Sequence, residues 1–263
     1  MEMEVKTIEN NENVKHSACG CGSGGCGSHS DSKGKPGFNE NLPERFQLLH
    51  EGDRVVEFGS GLGSDCISAA SVIGNTGKVI GIDSSEKNIE TARNTADSLK
   101  ISNVEFRLGN IEAAPLPDEF ADVIYATCVF NLQTNKQKVA DEMYRVCDHN
   151  GYVCVSDFVI LNDIPDGLRQ EASKIAGCIA GAEKAETFMN YFRKTGFTQG
   201  GIVEVNKVKL PNELLEKYLD AEMIAKYNDI DSDEGIFSVV LVAEKPESCN
   251  AETCCHNADK HKN

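Results

Sequence analysis

The stretch Val55 to Cys66, V-V-E-F-G-S-G-L-G-S-D-C, constrains the fold more than any other part of the chain. An apolar strand, Arg54 to Phe58, carries an acid near its end, Glu57, and runs into a loop with glycines at 59, 61 and 63. A helix is predicted from about Ser64 to Ile73, ended by Gly74 and Gly77. Glycine permits positive φ and lets a ligand press against bare main chain, and the first amides of a helix point outward. Strand, glycine loop and helix in that order make a nucleotide cradle. The usual dinucleotide pattern is G-x-G-x-x-G, whereas this loop reads G-x-G-x-G behind an acid.

Further strands and helices alternate behind the loop. Lys78 to Ile82 reads as a strand leading to Asp83, which lies 24 residues beyond Gly59, close to the spacing at which an acid after the second strand reaches ribose hydroxyls. Glu86 to Leu99 is a helix that Ser84 or Ser85 can cap. Val104 to Leu108 is a third strand, Ala121 to Thr127 a fourth with the near-continuous apolar character of a buried parallel strand, and Tyr152 to Phe158 a fifth. Helices fall at Asn135 to Cys147 and Glu183 to Thr195, an acidic helical stretch at Asn212 to Tyr227, and a terminal antiparallel pair at Ile202 to Val208 and Ile236 to Ala243. The expected fold is α/β: a Rossmann-like, doubly wound, mostly parallel seven-stranded sheet with a C-terminal α+β extension.

With 42 acids against 26 Lys and Arg, the formal charge is −16. Such a chain repels polyphosphate backbones, which excludes nucleic acid as the expected partner. No apolar run approaches membrane-spanning length, and the beginning M-E-M-E-V-K lacks the basic start and apolar middle of a signal peptide. A cytoplasmic monomer, with no membrane association, is expected. The eleven cysteines are then read as thiols rather than a disulfide scaffold, and soft thiolates choose soft partners. Residues 1–38 form an expected flexible tail carrying Cys19, Cys21 and Cys26, residues 39–160 the cofactor-binding core, 161–245 the substrate-binding and sheet-completing part, and 246–263 a second flexible tail with Cys249, Cys254 and Cys255.

The G-x-G-x-G loop with its preceding acid resembles motif I of the class I S-adenosylmethionine (SAM) methyltransferases. From Glu51 to Lys245 the chain is similar to a particular family among them, the arsenite SAM methyltransferases. The carrying segments are G-S-G-L-G-S-D-C at 59–66, G-N-I-E-A-A-P-L-P-D at 109–118, T-C-V-F-N-L at 127–132, I-P-D-G-L-R at 164–169 and G-C-I-A-G-A at 177–182. The resemblance implies a cofactor set of Glu57, Gly59, Ser60, Gly61, Asp83, Ser84, Asn110, Ile111, Glu112 and Thr127, with Asn110 on the adenine amine and Ile111 over the ring. It implies arsenite, or its thiol conjugate, as substrate. It also implies that Cys66 and Cys178 are the catalytic, arsenic-binding thiols and that they converge.

Many family members add a thiol near residues 200 to 235, and this chain has no cysteine between 178 and 249. A third arsenic ligand would come from Cys19, Cys21, Cys26, Cys128, the C-terminal group or glutathione. Cys66, at the start of a helix, is expected to gain thiolate character from the helix dipole. A thiol reductant, thioredoxin or glutathione, would serve as co-substrate by reopening a protein disulfide. Two other readings compete: a SAM methyltransferase of a quinone-like acceptor, and a non-enzymatic binder of thiophilic metals.

Overall fold

The computed structural model of this chain describes residues 46–247. The strands are β1 (Arg54–Phe58), β2 (Lys78–Asp83), β3 (Val104–Leu108), β4 (Ala121–Thr127), β5 (Cys147–Ile160), β6 (Glu183–Lys184), β7 (Thr198–Lys207) and β8 (Ile236–Glu244). The helices are α1 (Ser64–Ile73), α2 (Glu86–Ser98), α3 (Lys136–Val146), α4 (Asp166–Ala172), α5 (Ala185–Thr195), α6 (Asn212–Leu215) and α7 (Ala221–Asn228). The sheet runs β3-β2-β1-β4-β5-β8-β7, with the two-residue β6 added beside the end of β5. The first five strands in this order pair in parallel, while β8 pairs antiparallel with both β5 and β7. This is the expected doubly wound sheet.

Alternation along the strands divides the core between two faces. Val55 and Val79 pack with Cys66, Ala69, Ala70 and Ile73 of α1 and Ile89, Ala92 and Ala96 of α2. Val56, Phe58, Ile80 and Ile124 face the other way, toward Val139 and Met143 of α3 and Phe188 and Phe192 of α5. Phe130 lies at the junction, edge-on to Phe188 and stacked on Phe192 at 5.2 Å between ring centroids. Fully burying a side chain of this size stabilises by about 1.5–3 kcal/mol, so this ring cluster anchors the segment after β4.

Helix starts follow local chemistry. Ser85 accepts the Asn88 N–H to cap α2, Asn135 accepts the Lys138 N–H to cap α3, and Asp220 accepts the Met223 N–H to cap α7. The acidic stretch 212–227, expected as one helix, is two short ones broken at Glu216–Asp220. The fifth strand begins earlier than expected, at Cys147 opposite Ala121; an irregularity that contains Asn150, at φ +60°, then shifts the register, and regular pairing resumes with Tyr152 opposite Val123. Both cysteine-bearing tails, with Cys19, Cys21, Cys26, Cys249, Cys254 and Cys255, lie outside the described residues.

Candidate functional site

The strand order reverses between β1 and β4, and open α/β sheets bind ligands at the carboxyl ends of strands at such a point. The loop after β1 is built there. Gly59 N–H and Ser60 N–H both donate to the Ile82 carbonyl, at 2.8 and 2.9 Å, and Gly63 N–H donates to Ser60 O at 2.8 Å. Gly59, Gly61 and Gly63 all have positive φ. A Cβ on Gly63 would lie 2.5 Å from Phe106, so glycine is needed for close packing; one on Gly61 would meet nothing within 4 Å, so its outer side is open. The neighbouring Ser60 hydroxyl is buried without a partner. A buried polar atom left unpaired is costly, and together with the open cradle it fits a polar ligand laid on the loop.

Asp83 braces this loop. Its carboxylate accepts Gly61 N–H at 2.9 Å, Ser85 N–H at 2.8 Å and Asn88 Nδ2–H at 3.2 Å. A carboxylate accepts about four hydrogen bonds, so three donors leave room for one ligand hydroxyl. Among the other expected contacts, Ile111 is buried, Asn110 uses Oδ1 to accept the Glu112 N–H, Glu112 is paired with Lys138 at 3.5 Å, Ser84 is exposed and Thr127 is half-buried at the end of β4.

Glu57 and Cys66 depart from expectation. The Glu57 carboxylate points beneath the loop into the core, where Oε2 accepts hydrogen bonds from the Cys66 thiol at 2.8 Å and the Tyr125 hydroxyl at 3.2 Å. Burial pushes the Glu57 carboxyl up to about 7. Burial, then the adjacent Glu57 charge, pushes the Cys66 thiol well above the usual thiol range. The helix dipole therefore does not make Cys66 a thiolate. Cys66 is fully buried on the sheet-facing side of α1, and the expected convergence of Cys66 with Cys178 is absent.

Cys178 instead meets Cys128. Their sulfurs and a carboxylate oxygen of Asp157 all lie within 4.8 Å of one another. Cys128 follows β4, held at φ +52° by its N–H bond to Ser156 O at 2.8 Å, and its side chain is exposed. That left-handed backbone is uncommon outside glycine and is a form of strain that clusters at functional sites. Asp157 is buried near the end of β5 and accepts Asn131 N–H, Asn131 Nδ2–H and Phe158 N–H, each at 2.9 Å. Burial raises its pKa. A hydrogen bond from the Cys178 thiol holds Cys128 below the usual thiol range, and giving that bond holds Cys178 above it.

The turn carrying Cys178, Gly177–Gly181, is pinned from three directions. A Cβ on Gly181 would lie 2.0 Å from Asn131 O. Lys136 Nζ donates to Gly181 O at 3.0 Å, and Arg169 Nη1 donates to Ala182 O at 2.5 Å. Arg169 ends the I-P-D-G-L-R segment, so the two most distinctive sequence segments are physically one structure. The thiol pair also adjoins the cradle, because a Cβ on Gly59 would strike the Val129 side chain at 2.5 Å. Sequence reasoning gave Cys128 only as one of several third ligands and missed Asp157 and Asn131, although a carboxylate in an otherwise apolar central strand is a signal in itself.

A sequence model described as a methyltransferase domain matches residues 49–196. An arsenite methyltransferase of Halobacterium salinarum is 34% identical over 205 residues, covering 78% of this chain and 49% of that protein. One of Aquipseudomonas alcaligenes is 31% identical over 235 residues, covering 82% and 66%. The crystal structure of an arsenic(III) S-adenosylmethionine methyltransferase from Chlamydomonas reinhardtii superposes with a TM-score of 0.59 at 28% identity, covering 75% of this chain and 64% of that one. Sheet order, glycine cradle and matched domain define the SAM-dependent methyltransferase class. Within that class, the chain belongs to the arsenite methyltransferase family. It spans between about half and just under two thirds of the length of these relatives.

Proposed function

We propose that this protein transfers the methyl group of SAM to trivalent arsenic held by Cys128 and Cys178. The observation that carries this reading is the meeting of two sulfurs beside the cradle, at the carboxyl edge of the sheet. Arsenous acid exchanges two hydroxyls for two thiols, forming two As–S bonds and releasing two waters, so the thiol protons leave on the displaced hydroxyls. Cys128, the more acidic of the two thiols, starts the exchange, and Cys178 closes it. A third position on arsenic falls to a small thiol such as glutathione, or to a cysteine outside the described residues.

SAM, when bound, supplies a methyl group on a sulfonium that leaves as a neutral thioether. Ser60, Gly61 and Asp83 would hold it, with Ile111 and Asn110 toward the adenine. The chain's task is then positional: holding the arsenic lone pair in line with that methyl contributes on the order of 7–11 kcal/mol of effective molarity. No strong base is required. The new As–C bond uses the arsenic lone pair and leaves arsenic formally pentavalent. Two coordinated sulfurs departing as a disulfide return two electrons, and thioredoxin or glutathione reopens that bond. The reducing cytoplasm is the compartment this cycle needs.

The test is a product assay. Protein, SAM, arsenite and glutathione or thioredoxin should yield methylated arsenic by mass spectrometry; methylation of a quinone-type acceptor with no methylarsenical would overturn the reading.

A further inference from the structure

Asp157 places a carboxylate in the core, 1% exposed near the end of β5. The donors it accepts, Asn131 N–H, Asn131 Nδ2–H and Phe158 N–H, are all uncharged. A buried charge is ordinarily paired with an opposite charge or bound to a metal. Oδ1 takes two of these donors and Oδ2 one; since each carboxylate oxygen accepts about two, Oδ2 has room for one more partner. The thiol pair lies beside it: the Cys128 and Cys178 sulfurs and an Asp157 oxygen are mutually within 4.8 Å.

Trivalent arsenic, as proposed above, uses the two sulfurs and has no need of the carboxylate. Zinc uses all three. Zn2+ takes thiolate sulfur at about 2.3 Å and carboxylate oxygen at about 2.0–2.2 Å, so donors around one tetrahedral ion stand about 3.6–3.8 Å apart, within reach of small side-chain rotations here. Ligating carboxylates are themselves held by hydrogen bonds, as the Asn131 and Phe158 amides hold this one. Cys128 is exposed, which leaves a fourth position for water. We propose that Cys128, Cys178 and Asp157 form a three-ligand zinc site, built on the thiols that arsenite would otherwise take. Binding makes two Zn–S bonds and one Zn–O bond and releases the thiol protons to solvent, with no change of oxidation state. The proposal rests on the geometry of these three groups and not on the identity of the methyl acceptor.

The test reads Cys128 alone, so that zinc taken by other thiols does not count. The full chain, kept reduced by a phosphine, is placed in a metal buffer that fixes free Zn2+, and iodoacetamide alkylation of the Cys128 peptide is followed by mass spectrometry. Half-protection is expected below about 1 μM free Zn2+. Asp157→Asn should raise that midpoint about tenfold or more, while half-protection by arsenite, measured in the same way without zinc, stays within about threefold of wild type. The direction is diagnostic, because removing the Asp157 charge makes Cys128 more acidic, which by itself would tighten zinc binding. Cys178→Ser should abolish protection by zinc and serves if the asparagine variant does not fold. The proposal is overturned by an unprotected wild type, by zinc protection that survives Cys178→Ser, or by an Asp157→Asn midpoint that is unmoved or moves equally for zinc and arsenite. A wild type protected by zinc but not by arsenite would refute the proposed function and leave the zinc site standing.

Discussion

Cys128 and Cys178, remote in sequence, bring their sulfurs within 4.8 Å of each other and of the Asp157 carboxylate. The contact is produced by backbone fit more than by any attraction between thiols. Asn131, three residues after Cys128, accommodates Gly181, three residues after Cys178, at a distance no side chain would tolerate.

Gly181→Ala should therefore separate the thiols. The added methyl must push the turn off the Asn131 main chain, and a displacement of about 1 Å at a reacting group can cost on the order of 100-fold in rate. Arsenite methylation should fall by that order while S-adenosylhomocysteine affinity holds, since the cradle makes no use of Gly181. Gly201→Ala, where a Cβ meets nothing within 4 Å, is the control and should leave both unchanged.

Most of the sheet was legible in the sequence because the strands are short apolar runs bounded by glycine, asparagine or proline. The thiol arrangement was not, since linear motifs do not say which face of an element a side chain takes. Cys66 was legible in retrospect: Cys66, Ala69, Ala70 and Ile73 recur at i, i+3, i+4 and i+7, the stripe by which α1 faces the core. Position at a helix start suggested reactivity, but burial beside a carboxylate decides otherwise. The pairing of Cys128 with Cys178 depends on Arg169, Lys136 and Gly181 acting together across distant segments, and no spacing rule contains that.

Asp157 should set how readily Cys128 ionises. Its negative charge raises the Cys128 pKa against the lowering caused by the Cys178 hydrogen bond. Asp157→Asn removes the charge, so the pH midpoint of Cys128 alkylation by iodoacetamide, followed on its peptide by mass spectrometry, should move to lower pH. An unmoved or upward midpoint would contradict the electrostatic role.

Glu57 should make stability fall as pH rises. Its carboxyl titrates near 4.5 when exposed and near 7 in the fold, so between those values the folded protein holds a proton that the unfolded chain gives up. Stability from this group is greatest below about 4.5 and is lost as pH climbs to about 7, by up to roughly 3 kcal/mol at 1.36 per pKa unit. Glu57→Gln cannot titrate. Urea denaturation at several pH values should show wild type losing stability relative to this variant from pH 5 to pH 8; a difference independent of pH would contradict the assignment.

The most direct test of the account is the initial rate of methylarsenical formation by Cys128→Ser and Cys178→Ser, measured with SAM, arsenite and a thiol reductant, alongside each variant's affinity for S-adenosylhomocysteine. Each substitution should lower the rate on the order of 100-fold or more with cofactor affinity unchanged. Either variant methylating arsenite at the wild-type rate would contradict the claim that this thiol pair holds the arsenic.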